Sequence, residues 1–496
     1  MAGGAGDTKK VLDMDTGSQK VLNMDTLNPC IINMEYSVRG PLVIRAREMQ
    51  KELKEGKKFP FPYVIRCNIG DCHAMEQSYI NFIRQVVASC TYPPLMDSAG
   101  FPPDVVAKAK RILEGCGGGS IGAYSDSSGI EIIRKDAAAY IKRRDGGIPA
   151  NPDTIMLSSG ASDGIKSILK LLKQGDGERK TGVMIPIPQY PLYSATLAEY
   201  NTMQIGYYLD EETNWSMHVS ELKRAITEAR AVCNPRAICV LNPGNPTGSV
   251  LTRQNIEDIV KFAHDEKLVI LADEVYQDNI YAPDREFHSF KKVISEMGGE
   301  YAKQELASFH SVSKGYMGEC GYRGGYCEYV NFHPEVVAML RKSLTAKLCP
   351  SVSGQVAMDC VVGHPQPGDA SYESWLKEKN AVLGTLKEKA KMTVEKLNSL
   401  PGIKCNIVQG AMYAFPRLFL PEKAIAKAKA EGKAADFMYA WELLEQKGLC
   451  VVPGSGFGQK EGTYHFRMTI LPPPAKLEEF LRRLKDFHLE FMERYK

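Results

Sequence analysis

Long apolar runs are missing from this chain. They stay short, as from Leu268 to Ala272, whereas a helix that crosses a bilayer needs ~20 apolar residues. A membrane-spanning helix is excluded on that count, and no membrane partner is expected. A dominant charge is missing too: 62 Lys and Arg stand against 59 Asp and Glu, a formal net charge of +3 over 496 residues. Such a balance leaves no electrostatic footprint for nucleic acid or an anionic lipid surface. Paired cysteines are also lacking. The 13 cysteines are odd in number, scattered, and nowhere at C-x-x-C spacing. Cys67 and Cys72, with His73 beside them, form one poor pair where a zinc site wants two, so no metal is expected and reduced thiols are. No apolar stretch follows Met1 to Lys10, no Arg-rich presequence pattern appears, and Glu493 to Lys496 is no peroxisomal address. The expected residence is cytoplasmic, with a mitochondrial one left open.

What is present is the composition of a water-soluble globular protein: 44% hydrophobic and 24% charged residues, too apolar for a disordered chain. The length suggests about three units, or a large α/β domain with a smaller one built from the chain ends. The heptad from Lys10 to Thr16 recurs from Lys20 to Thr26. Two short copies do not make a repeat fold, and they read as a duplication in a mobile tail without assigned function.

From about Val105 an α/β rhythm sets in. Val105, Val106, Ala109, Ile112 and Leu113 share one helical face, and a second helix is expected from Ile130 to Arg144. Strands are expected at Thr154–Leu157, Val183–Ile187, Ala237–Leu241 and Leu268–Ala272, with helices at Ile165–Leu172 and Gln254–Lys267. Apolar strands alternating with helices predict a mostly parallel sheet covered on both faces. A charged helix from Ser371 to Leu400 is long enough to link two domains, and short strands near Leu449–Val452 and His465–Ile470 follow it. The expected division is a tail over 1–27, an arm with part of a small domain over 28–95, a large domain over 96–375, and a small C-terminal domain over 376–496.

Gly117, Gly119 and Gly122 spell G-x-G-x-x-G, but a helix precedes them where the dinucleotide fingerprint needs a strand. The plainer reading, a loop, is preferred. Ser158 to Gly164 leaves a strand and opens a helix, the context that offers backbone N–H groups to an anion; alone it is no more than an N-cap. Asn242 to Gly248 reads N-P-G-N-P-T-G after a strand, a tight turn where α/β ligands bind. Asp273 ends a strand in A-D-E-V-Y, and Lys314 sits in S-V-S-K-G-Y a few residues before Arg323. Singly, that aspartate is an N-cap and that lysine a surface residue.

In this order the four motifs resemble the fold-type I aminotransferases, which use pyridoxal phosphate. Met34 to Pro41, Asn68 to Asp71, Gly119 to Gly129, Ser313 to Tyr326 and Phe466 to Pro472 extend the likeness over nearly everything after Leu22. They point to the branch of that family that uses alanine. The resemblance implies a homodimer of an α/β fold, with a mostly parallel sheet in a large domain and a smaller α/β domain from the chain ends. It implies exchange of amino and keto groups between L-alanine and 2-oxoglutarate, giving pyruvate and L-glutamate by a ping-pong mechanism. By the same likeness Lys314 would hold the cofactor as a Schiff base and move the substrate's α-proton. Asp273 would pair with the ring nitrogen, Asn245 and Tyr276 would reach the phenolic oxygen, and Tyr190 would stack on the ring. Ala161, Ser162, Ser311 and Arg323 would cradle the phosphate, with Tyr124 joining from across a dimer interface. Arg467 would grip the α-carboxylate by a bidentate fork, with Gly70 and Asn245 completing the substrate side. Glyoxylate or aromatic transamination and β-elimination would use the same cofactor residues. A non-catalytic binding protein on this fold would be marked by loss of the lysine, and Lys314 is present.

Overall fold

Strands that are apolar on both faces have to be covered on both, and here they stack into one central sheet. The computed structural model describes residues 20–175 and 179–496, so the heptad copy at 10–16 lies outside the described residues. The sheet holds β1 (Ile155–Ser158), β2 (Lys180–Ile187), β3 (Met203–Tyr208), β4 (Cys233–Leu241), β5 (Val269–Asp273), β6 (Leu306–Ser311) and β7 (Gly325–Val330). Its spatial order is β1-β7-β6-β5-β4-β2-β3. From β6 through β5, β4 and β2 to β3 all pairings are parallel; β7 runs antiparallel to both β6 and β1.

Alternation within each strand divides the core between the two faces. Ile238, Val240, Ile270 and Ala272 pack in one buried cluster, while Ala237, Cys239, Leu271 and Phe309 pack in another. The expected strands and helices are all present, with ends that shift for local reasons. The helix expected from Ile165 begins at Ala161, because its first turn is polar and Gly160, at φ 83°, is where the chain enters it. The helix expected to reach Lys267 runs Arg253–Glu266, since Lys267 adopts a left-handed φ of 56° and ends it. At its start Thr252 and Asn255 cap each other reciprocally. The single strand expected near Leu449–Val452 is split. Leu449–Cys450 pairs with Ile65–Arg66, and Val452–Pro453 pairs with Tyr464–Thr469.

The long helix spans Tyr372–Asn398. Beyond it, a smaller sheet built around Tyr464–Thr469 shares one buried cluster with Leu42, Met49 and Val64 from early in the chain. The helix Asn81–Thr91 packs instead with Pro103–Glu114 and Val352–Val362. Gly117–Gly119 forms a short 3-10 turn after a helix, as its context required.

Candidate active site

The carboxyl ends of β4, β5 and β6 open on one cavity of about 630 Å³, the place where a parallel sheet binds its ligands. Lys314, Asp273, Tyr276, Asn245 and Tyr190 line it. So do Ala161, Ser162, Ser311 and Arg323 on one side and Gly70 and Arg467 on the other. Tyr124 is not among the lining residues; it is 77% exposed on the single chain.

Asp273 is the last residue of β5 and is 4% exposed. Its Oδ2 accepts a hydrogen bond from the Tyr193 hydroxyl at 3.2 Å, and its Oδ1 has no partner. Burial pushes the carboxyl up to about 6, against the pull of Tyr193 and the Val275 N–H. A half-satisfied buried carboxylate is costly, and a proton-bearing ligand atom would satisfy it.

Lys314 lies in the turn after β6, and its Nζ donates to the Gly70 carbonyl at 2.8 Å. Burial disfavours the charged amine, but Tyr413, Cys320 and Cys72 outweigh it and hold Lys314 above the ordinary lysine range. Gly70 is needed at this approach. A Cβ on it would run into the Tyr413 hydroxyl and come within 3.2 Å of Lys314 Nζ. The Tyr276 hydroxyl donates to that of Tyr413 at 3.2 Å. Burial, then Tyr413, raises the Tyr276 phenol well above its ordinary value, so it stays a donor.

An anion cradle closes one end. Arg323, itself at φ 58°, donates through Nη2 to Ser162 Oγ at 3.1 Å and to the Ser159 carbonyl at 3.2 Å. It lies over the N-terminus of the helix Ala161–Leu172, whose free N–H groups and dipole favour negative charge. Arg467 closes the other end. It is 1% exposed, donates through Nη1 to Asn245 Oδ1 at 3.0 Å and through Nη2 to the Asn68 carbonyl at 2.6 Å. The rings of Tyr413 and Phe457 lie 4.1 and 4.7 Å from its Cζ. No carboxylate of the described residues pairs with it, so it is a buried cation available to an anionic ligand.

The carboxyl end of the sheet gathers a lysine amine, a buried carboxylate and an anion cradle, a set that suits a phosphorylated ligand with a protonated ring. The chain belongs to aminotransferase class I and II, whose family model matches residues 90–484, and that family works with pyridoxal phosphate. Its relatives narrow the comparison. The chain is 60% identical to "Alanine aminotransferase 2" of Xenopus tropicalis over 463 residues, 93% of this chain and 88% of that one. It is 58% identical to "Alanine aminotransferase 1" of Homo sapiens, covering 93% of each. Among solved structures, an alanine aminotransferase from Pyrococcus furiosus superposes with a TM-score of 0.73 at 24% identity, over 94% of this chain and 100% of that one. That likeness shows the fold.

The residues present fit the cofactor. The orphaned Asp273 Oδ1 suits a protonated ring nitrogen, the Arg323–Ser162 cradle suits a phosphate, and Gly160 leaves the guanidinium room, since a Cβ there would collide with it. Tyr413, Tyr193 and Phe457 line or support the site without belonging to any of the motifs, and Tyr36 lies in the Met34–Pro41 segment, which carried the likeness but no role for that residue. Tyr36 reaches the Tyr190 hydroxyl at 3.3 Å, and Tyr193 meets the Tyr190 ring edge-on. Among the described residues no helix is long and apolar enough to cross a membrane, and no three His, Cys, Asp or Glu gather as metal ligands.

Proposed function

We propose that this chain transfers the amino group of L-alanine to 2-oxoglutarate, yielding pyruvate and L-glutamate, in two half-reactions at one site. The observation that carries the reading is Arg467, a buried and unneutralised fork beside the lysine cavity, matched to the α-carboxylate common to all four molecules. The names of the relatives supply the alanine half.

Pyridoxal phosphate, when bound, supplies the carbonyl that takes up the amino group and the sink for the electron pair left on Cα. The chain's own residues do the rest. Arg467 holds the α-carboxylate and thereby fixes which Cα bond faces the lysine. Lys314 Nζ, once released, takes the proton from Cα of alanine and returns one to Cα of the glutamate being formed. Asp273 Oδ1 keeps the ring nitrogen protonated, where charge develops. Tyr276 and Asn245 would bond the ring's phenolic oxygen, Tyr190 would cover its face, and Ala161, Ser162, Ser311 and Arg323 would hold the phosphate. Gly70 leaves room for substrate.

Homodimerisation belongs to the same proposal, with the exposed Tyr124 reaching the partner's phosphate site. A small domain from the chain ends, over 28–95 and 376–496, is supported by the buried cluster that joins Leu42–Cys72 to Leu386–Tyr495; the helix Asn81–Thr91 packs with the large domain, 96–375. Cytoplasmic residence is the favoured compartment, although one relative, 47% identical and from Dictyostelium discoideum, is named "Probable alanine aminotransferase, mitochondrial". The test is single-turnover absorbance of the loaded enzyme with a panel of amino acids. Alanine should convert the cofactor with the highest kcat/KM; faster conversion by aspartate or tyrosine would overturn the substrate while leaving the family intact.

A further inference from the structure

The long helix Tyr372–Asn398 buries Trp375, Leu386, Ala390, Thr393 and Leu397, and among them it also buries a lysine. Lys389 is 6% exposed, and its Nζ donates to the carbonyls of Leu471 at 2.8 Å and Pro472 at 3.2 Å. Among the described residues no carboxylate pairs with it. One turn away on its own helix stand Thr385, Leu386, Met392 and Thr393, none of them acidic. Burial, outweighing the thiols of Cys72 and Cys67, pushes the amine down to about 8. A buried cation without a counter-anion is unfavourable, and an anion that reached it would relieve the penalty.

Such an anion has a way in. Lys389 lines a cavity of about 620 Å³ that shares no lining residue with the cavity around Lys314. Its walls are the long helix, Met75–Ile80, and Leu471 with Pro473 and Pro474. Here the chain passes from the buried cluster of Leu42–Cys72 to the one that holds the helix Asn81–Thr91. Met75, Ile80, Val382, Leu386 and Leu471 make much of the surface apolar. The two carboxylates that line it are already engaged: Glu76 pairs with Lys476, and Glu378 accepts the Asn81 N–H at 2.9 Å. Lys377, the other cation, is exposed.

We propose that this cavity is a second ligand site, separate from the active site, and that it takes a medium-chain carboxylate with its head on Lys389 and its chain along Leu386 and Val382. The dimensions suit that class. From Lys389 to Ala381, both on the cavity wall, the helix rises ~12 Å, about the reach of an extended eight-carbon chain. One buried cation in a mostly apolar wall is also the pattern that fixes a small ligand's orientation. A dicarboxylate would bring its second charge against Met75 and Ile80, and an amine would meet Lys389 with like charge.

The full-length enzyme loaded with pyridoxal phosphate provides the test, titrated calorimetrically with octanoate and with octanol, which has the same chain and no charge. Lys389→Met keeps an unbranched side chain and removes the amine. It should weaken octanoate about 10- to 100-fold, the worth of a charge-assisted hydrogen bond, and leave octanol nearly unchanged. That variant also leaves the Leu471 and Pro472 carbonyls without their donor, so Thr385→Glu serves as a second probe. A carboxylate one turn before Lys389 would supply the missing counter-anion and should weaken octanoate about tenfold with both carbonyl bonds intact. Cofactor absorbance reports that each variant is folded. Octanoate bound no more tightly than octanol by the wild type, or as tightly by both variants as by the wild type, would overturn the proposal.

Discussion

Arg467 Nη1 donates to Asn245 Oδ1 at 3.0 Å, across 222 positions of sequence. One residue stands on the strand Tyr464–Thr469 and the other in the turn after β4, so this contact ties the proposed substrate clamp to the cofactor side of the cavity. The amide oxygen orients the fork without neutralising it.

That balance predicts the outcome of Asn245→Asp. A carboxylate at this point would pair with Arg467 and compete with every substrate carboxylate. KM should rise at least about tenfold for alanine and glutamate alike, since a charged partner binds the fork far more strongly than an amide does. Steady-state kinetics on both substrates measures it. A rise confined to one substrate would show that the arginine does not serve both.

Lys314 should be the residue that holds the cofactor covalently. Borohydride reduction and peptide mapping should place the adduct there rather than on Lys342 or Lys347. Lys314→Ala should still bind pyridoxal phosphate, because Arg323, Ser162 and Asp273 remain, while losing nearly all turnover.

The chemistry-bearing ends of the central strands were readable because strands buried on both faces are continuous apolar runs. Asn242 to Gly248 and Asp273 each follow such a run, Lys314 follows a strand broken by Ser308 and His310, and the cavity opens where those strands stop. Three strands of the central sheet were not among those expected: β6, whose apolar residues are interrupted by Ser308 and His310, and β3 and β7. β3 is an edge strand in which only Ile205 and Tyr207 are buried, so its alternation is brief. β7 carries Glu328, whose charge is met inside the fold by Lys291, and a sequence alone does not show the partner. Tyr413 belongs to a strand of two residues, Tyr413–Ala414, that pairs with Thr469 and Met468. Its place under Arg467 is set by long-range packing and leaves no periodicity to read.

Gly160→Ala should loosen the phosphate end. The position has φ 83°, disfavoured for any residue with a Cβ, and the added carbon would strike the Arg323 guanidinium. Displacing that group from Ser162 costs about 1.5–3 kcal/mol of charge-assisted hydrogen bonding. The dissociation constant for pyridoxal phosphate, followed by fluorescence titration, should rise by about tenfold or more, whereas turnover of the saturated enzyme should change less. Unchanged retention of the cofactor would remove Arg323 from the cradle.

Asp273 should show the conflict between folding and function most directly. In the cofactor-free protein its carboxyl is pushed up to about 6 from the usual 3.8, because burial penalises the charged form and Oδ1 has no partner. The unfolded chain thus releases this proton at lower pH than the folded one. The stability it contributes is full below about pH 4, falls as pH rises to about 6, and stays low above that. A side-chain amide at this position is neutral throughout, so Asp273→Asn should stabilise the cofactor-free protein at pH 7–8 by up to about 3 kcal/mol and hardly at all near pH 4. Thermal melts of both proteins across that range measure it. With pyridoxal phosphate bound the order should reverse in function: in the proposed placement the carboxylate would keep the ring nitrogen protonated and an amide could not hold that charge, so turnover should collapse while the protein stays folded. Equal melting curves at pH 8 would show that burial does not penalise this carboxylate, and full turnover in Asp273→Asn would show that it does not face the ring.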